Sequence, residues 1–253
     1  MRLSYLLPVL FFVACNASTE KTETTSTDTS AAETPAASFE ANKIQAADIP
    51  ETIVYEGQVK DVYRWTDQNG DNIFFVTVKG PYPDRDKGEA EEEGKTADLY
   101  AFHYAKKDAA DYKMLWKMQD QELSCPFDIT TEIIPGSVTI TDLDKNGIGE
   151  AKFQYALACR SDVSPAAMKL VMLENSKVYT LSGNRWVEFG PDFKFDVNAS
   201  NVNLEKLPML DDGEDDLLRS YGRYKSEKEF ATAPPAFLEY ARNEWIKYAI
   251  EKF

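Results

Sequence analysis

The chain has 253 residues, 43 Asp and Glu against 28 Lys and Arg, a net charge of −15 and a single histidine. That length holds one large domain or two small ones. The acidic excess, with no Lys/Arg-rich stretch to offset it, argues against nucleic acid as a partner, and one histidine excludes a multi-histidine zinc centre.

Residues 1–15 read MRLSYLLPVLFFVAC, one basic residue followed by a 12-residue mostly apolar run from Leu3 to Ala14. A helix that crosses a bilayer needs about 20 apolar residues, so residues 1–14 read as a secretory signal peptide. Phe12-Val13-Ala14-Cys15 resembles the bacterial lipobox, in which small residues precede a cysteine that is acylated and becomes the new N-terminus; Phe12 departs from the usual Leu. The resemblance implies lipidation of Cys15, and two or three acyl chains anchor stably where one is marginal. Inner-membrane retention uses Asp after that cysteine, whereas this chain has Asn16. The expected location is the outer membrane, lipid-anchored, facing the periplasm or the cell surface.

Of the 25 residues Asn16 to Glu40, 11 are Ser or Thr and the only aromatic is Phe39. Nothing there buries a core, so residues 15–43 are expected to be a lipidated cysteine on a disordered tether, and 44–253 a single β-rich globular domain. Its first run, Ile53 to Trp65, meets Asn72 to Val78 across Asp67-Gln68-Asn69-Gly70, and Asn-Gly between apolar runs is a strong hairpin signal. Asp98 to Ala105 pairs with Tyr112 to Met118, Ser137 to Thr141 with Glu150 to Ala158, and Met168 to Leu173 with Val178 to Leu181. Two acidic stretches, Pro81 to Lys95 and Asp211 to Asp216, read as solvated loops.

After Pro234-Pro235 the period changes. Phe237/Leu238, Ala241, Trp245, Tyr248/Ala249 and Phe253 recur at helical spacing, and prolines fit a helix start. The expected fold is mainly β (α+β): an antiparallel hairpin meander or open barrel or sandwich, with a C-terminal helix over one face of the sheet.

Lipidation of Cys15 leaves Cys125 and Cys159 in an oxidising compartment, where an even pair reads as a disulfide; free or catalytic thiols are the competing reading. Asp142-Leu143-Asp144-Lys145-Asn146-Gly147-Ile148-Gly149-Glu150 puts side-chain oxygens at positions 1, 3, 5 and 9 with Gly at 6. That order folds around Ca²⁺, which makes Asp142, Asp144, Asn146 and Glu150 candidate ligands and Ca²⁺ the candidate cofactor. Position 12 is Phe153, so this is no EF-hand, and a plain Asn-Gly hairpin is the simpler alternative. Aligned on Gly70, the other Asn-Gly loop has Trp65 and Ile73 at positions 1 and 9 and lacks two ligands.

A Cys125–Cys159 bridge would gather Asp128, Arg160 and Asp162 into one neighbourhood. Two carboxylates and an arginine suit acid/base work on a sugar, and equally suit turn capping. His103 alternates with Leu99, Ala101 and Ala105 and reads as a packed histidine. No phosphate-binding glycine fingerprint is present, and no catalytic residue is assigned.

Several runs together carry a family resemblance: Ile49-Pro50-Glu51 with Tyr55-Glu56-Gly57, Arg64-Trp65-Thr66-Asp67, Leu99-Tyr100-Ala101-Phe102-His103, Leu115-Trp116-Lys117, Cys125-Pro126, Ile140-Thr141-Asp142-Leu143-Asp144 with Asn146-Gly147, and Cys159 with Asp162-Val163-Ser164-Pro165. Over about Ile49 to Arg185 the chain resembles the bacterial cell-surface family labelled surface polysaccharide biosynthesis protein, departing from it at Arg160-Ser161, where the family has His-Gly. The resemblance implies a part in making or displaying surface glycan and transfers no catalytic residue. The expected function is therefore a non-enzymatic envelope lipoprotein that binds polysaccharide or its assembly proteins. A glycan-modifying hydrolase with a carboxylate pair is the runner-up.

Overall fold

A computed structural model describes residues 39–84, 94–188, 190, 194–208 and 216–252. The expected signal peptide 1–14, Cys15, the expected tether as far as residue 38, most of the Pro81 to Lys95 loop, acidic residues 211–215 and Phe253 lie outside the described residues.

Twelve strands and two helices are described: β1 (Ala41–Lys43), β2 (Gln58–Asp67), β3 (Gly70–Pro83), β4 (Lys95–Lys106), β5 (Lys113–Cys125), β6 (Asp128–Ile133), β7 (Thr139–Thr141), β8 (Glu150–Arg160), β9 (Ala167–Glu174), β10 (Lys177–Asn184), β11 (Trp186–Glu188), α1 (Asp216–Ser220), α2 (Pro235–Tyr248) and β12 (Ile250–Lys252). The first sheet is antiparallel in the order β1-β2-β3-β4-β5; the second runs β10-β9-β8-β6, with β7 also on β8. Neither closes into a barrel.

The four expected hairpins form, with different edges. The first strand starts at Gln58, not Ile53, because Ile53, with Ile49, lies over Val62, Ile73, Phe75 and Phe102 on the outer face of the first sheet. An apolar run of this kind satisfies a cover segment as well as a strand. The fold also reaches further upstream than Ile44: Ala41 pairs with Trp65, and Phe39 and Ala41 pack into the interior. The folded part therefore includes Phe39 and Ala41, upstream of the expected start at residue 44. Of the two residues in the Asn-Gly turn, only Gly70 takes a positive φ, +104°.

The two sheets pack face to face. Alternate residues Phe74, Val76, Leu99 and Ala101 of the first meet Ala151, Phe153, Tyr155, Val171 and Leu173 of the second, the period-2 pattern of a sandwich interior. The opposite face of the second sheet, Met168, Leu170, Met172, Tyr179 and Leu181, is covered by Phe237, Ala241 and Trp245 of α2. Those three residues recur every fourth position, so one helix face carries them all. Truncating either aromatic to Ala costs about 3–5 kcal/mol in sites of this kind.

A polar seam fixes the helix direction. Lys152, fully buried on β8, donates to the Ser137 carbonyl at 2.7 Å and to Glu244 of α2 at 2.5 Å, and Gln154 donates to the Glu244 carbonyl at 2.9 Å. Burial pulls the Lys152 ammonium below its ordinary value against the pull of Glu244. The disulfide Cys125–Cys159, with Cα atoms 5.5 Å apart, joins the end of β5 to β8 and so ties one sheet to the other. No helix of the described residues is long and apolar enough to cross a membrane.

Candidate functional site

Two places gather polar chemistry. The first is the loop between β7 and β8. Carboxylate oxygens of Asp142, Asp144 and Glu150 lie within 4.8 Å of one another. One oxygen of Asp142 accepts from the Gly147 N–H at 3.2 Å, while the other, Oδ1, is buried and has no hydrogen-bond partner. Glu150 is buried at the root of β8 and accepts from Thr141 Oγ1 at 2.8 Å and the Leu143 N–H at 3.0 Å. Burial raises its carboxyl to about 7, opposed by those two donors and reinforced by the charges of Asp144 and Asp142.

The Asn146 side chain is engaged within the hairpin tips. Its carboxamide oxygen accepts from the Ile148 N–H at 2.8 Å, and its nitrogen donates to Asp144 at 3.2 Å and Glu174 at 2.7 Å. Two nearby carboxylates draw the NH₂ inward, so three of the four proposed ligands converge and the fourth turns its oxygen to the backbone.

The loop is also docked. Gln68 donates through its side chain to the Asn146 carbonyl at 2.6 Å, Gly149 N–H donates to Asp67 at 2.9 Å, and Asn69 donates to Asn175 at 2.6 Å. Three hairpin tips thus meet at one end of the sandwich, and the Asp67 to Gly70 loop is part of the assembly rather than a separate turn. Asp67 accepts in addition from Trp65 Nε1 at 2.8 Å, the Asn69 N–H at 2.7 Å and Asn72 Nδ2 at 2.8 Å. His103 sits behind, 2 % exposed, its Nε2 3.0 Å from Asn72 Oδ1 and its ring stacked on Trp65. Burial lowers it to about 4, so it is neutral at physiological pH and packs as the alternation implies.

The second place is an open cleft of about 450 Å³ between the inner side of β5 and the second sheet. It exists because the first sheet ends at β5 and the inward-facing side of β10 is left uncovered. Tyr179 and Leu181 of β10 point to α2, so by alternation Val178, Thr180 and Ser182 form the cleft floor. Trp116, Met118 and Asp120 of β5 form a wall, with Lys169 and Tyr155 beside them. Asp120 accepts from Tyr155 OH at 2.6 Å and Lys169 Nζ at 2.7 Å. Burial pushes its carboxyl up, but those bonds outweigh it and hold the group below its ordinary value.

The Asp128, Arg160 and Asp162 trio is brought near but not to one point. Asp128 stands opposite Arg160 in the β6–β8 register. Arg160 turns to Glu251 of β12 and to the Ser164 carbonyl, and Asp162 accepts from Ser164 N and Oγ at 2.9 and 2.6 Å. Arg160 thus clamps β8 to the C-terminal strand and Asp162 caps the turn at Ser164.

Trp116 and the floor of β10 carry a faint sequence signal. The alternation Val178-Tyr179-Thr180-Leu181-Ser182 marks one face of β10 as polar, which identifies a solvated face but not the strand that overhangs it. Compared with protein-family models, with curated proteins and with solved structures, the chain matches none.

Proposed function

We propose that the chain is a lipoprotein, acylated at Cys15 and held at the outer membrane, whose sandwich binds envelope polysaccharide without turning it over. The observation that carries this reading is the cleft: an open trough with an indole in its wall and hydroxyls in its floor suits an extended ligand with apolar and hydroxyl faces. The hydrolase alternative needs a carboxyl with a raised pKa to act as general acid; in the cleft wall Asp120 is held low by Lys169 and Tyr155, while the raised carboxyl of Glu150 is not among the cleft residues. A pull-down of envelope polysaccharide on the full chain, with sizing of the recovered glycan, tests both. Intact bound glycan supports the binding reading, shortened glycan the hydrolase, and no capture removes both.

The anchor is tested separately by detergent phase separation, where Cys15→Ala should leave the detergent phase that wild type occupies. We also propose that Asp142, Asp144 and Glu150 hold a Ca²⁺ ion, with Asn146 recruited by rotation of its carboxamide. The support is Asp142 Oδ1, buried and without a donor, in a loop where the N–H groups of Leu143, Asn146, Gly147, Ile148 and Gly149 are engaged elsewhere.

A further inference from the structure

Resting on the polysaccharide reading, we propose that the cleft takes an uncharged saccharide chain, seated on the indole of Trp116 and hydrogen-bonded by the Asp120–Lys169 pair. Three charges line it, Asp120, Lys169 and Glu229, because Lys117 turns to the other face of β5, its ammonium over the Tyr100 and Phe102 rings. The trough, in a chain with a net charge of −15, thus holds two acids and one lysine, so a polyanionic glycan meets no excess of cations there and is repelled by the rest of the surface.

Within that trough the polar groups are suited to hydroxyls. A carboxylate beside an ammonium, 2.7 Å apart, offers an acceptor and a donor at the spacing of neighbouring sugar hydroxyls. Asp120 is fixed by Tyr155 at the same time, so the pair is set before a ligand arrives. Thr180 and Ser182 follow along the floor two residues apart, each able to donate and accept.

Trp116 supplies the apolar surface. Its indole meets Phe153 in an edge-type contact, with ring centroids 6.4 Å apart, and the residue is half-buried in the cleft wall. Among the described residues nothing accepts from its indole N–H. A partly exposed, rigid indole offers apolar surface to the C–H face of a pyranose at low entropic cost.

The test is affinity electrophoresis of the full chain through gels containing the source bacterium's envelope polysaccharide, separated by anion exchange into neutral and acidic fractions. The neutral fraction should retard wild type. Trp116→Ala should weaken that retardation at least tenfold, Trp116→Phe two- to fivefold, and Asp120→Asn at least fivefold. Near-UV circular dichroism of Trp116→Phe confirms that the sandwich is intact. Preference for the acidic fraction, or neutral binding that Trp116→Ala leaves unchanged, overturns this inference while the polysaccharide reading stands. Retardation by neither fraction overturns both.

Discussion

Two loops of this molecule share the Asn-Gly dipeptide and dispose of their acids in opposite ways. In the Asp67 to Gly70 hairpin one carboxylate accepts four hydrogen bonds, from Trp65, Asn69, Asn72 and Gly149. In the Asp142 to Glu150 loop three carboxylates crowd within 4.8 Å, one oxygen is left without a donor and one carboxyl is driven up to about 7. The dipeptide specifies a tight reversal in either place. What differs is how the negative charge is compensated: fully by protein donors in the first loop, and only in part by them in the second.

The largest expected effect lies in the first loop. Asp67→Ala leaves the Trp65 indole N–H, the Asn72 amide and the Gly149 N–H facing an apolar methyl, and unsatisfied donors next to a lost charge cost roughly 3–5 kcal/mol in total. Gly70→Ala belongs in the same class, because a Cβ there would lie 2.2 Å from the Lys106 carbonyl oxygen, which is backbone and cannot turn aside. Urea unfolding should show both midpoints lowered with an unchanged slope. A loss below about 1 kcal/mol for Asp67→Ala would mean that water replaces the carboxylate, and the contrast between the loops would disappear.

The second loop should announce itself through pH. In chelator, Glu150 is protonated more readily in the folded chain, at about 7, than at its ordinary 4.5. The stability this gives is complete below the unfolded value and is lost as pH rises through the folded one, a change of about 3 kcal/mol between pH 4.5 and 8. Glu150→Gln keeps an acceptor for the Leu143 N–H and removes the proton. Relative to wild type it should therefore gain that amount across the same window. Parallel stability curves for the two proteins would show that Glu150 ionises without strain.

Calcium takes the proton's place in the same argument. A site with Kd of about 10⁻⁵ M in 1 mM Ca²⁺ adds about 2.7 kcal/mol to the folded state, or roughly 5–10 °C in Tm for a domain of this size. Asp142→Ala should abolish the increment. Asp67→Ala should lower the baseline and keep the increment, which separates the two loops even though they touch. An equal chelator shift in wild type and Asp142→Ala, or none in either, reduces the second loop to a turn.

How far the sequence could lead to these regions depended on how local each feature is. Alternation and Asn-Gly turns locate the paired strands, the step from period 2 to helical spacing locates α2, and the cysteine count locates the bridge now placed at Cys125–Cys159. Strand β6, Asp128–Ile133, goes unread because Asp-Ile-Thr-Thr-Glu-Ile has too few apolar positions to alternate. Ile53 to Gly57 is misread as strand because an apolar cover has the same composition. The contact between the two loops and the cleft beside Trp116 are not local at all. Each depends on which strands end a sheet and how the sheets overlap, and no residue spacing encodes that overlap.

The smallest effect tests how firmly the second loop is docked on the first. Gly147 has φ of +78°, a region that costs a residue with a Cβ about 1 kcal/mol or somewhat more. The added Cβ would lie 2.7 Å from Gln68 Nε2, the far end of a flexible side chain, in contrast to the backbone oxygen that blocks Gly70. Gln68 can rotate away and give up only its bond to the Asn146 carbonyl. Gly147→Ala should therefore cost about 1–2 kcal/mol, and in a Gln68→Ala background the cost should fall to that of the backbone alone, about 1 kcal/mol. Additive losses in the double variant would mean that the contact contributes nothing, and that the Gly149–Asp67 bond and the Gln68 N–H to Gly147 carbonyl bond hold the two loops together.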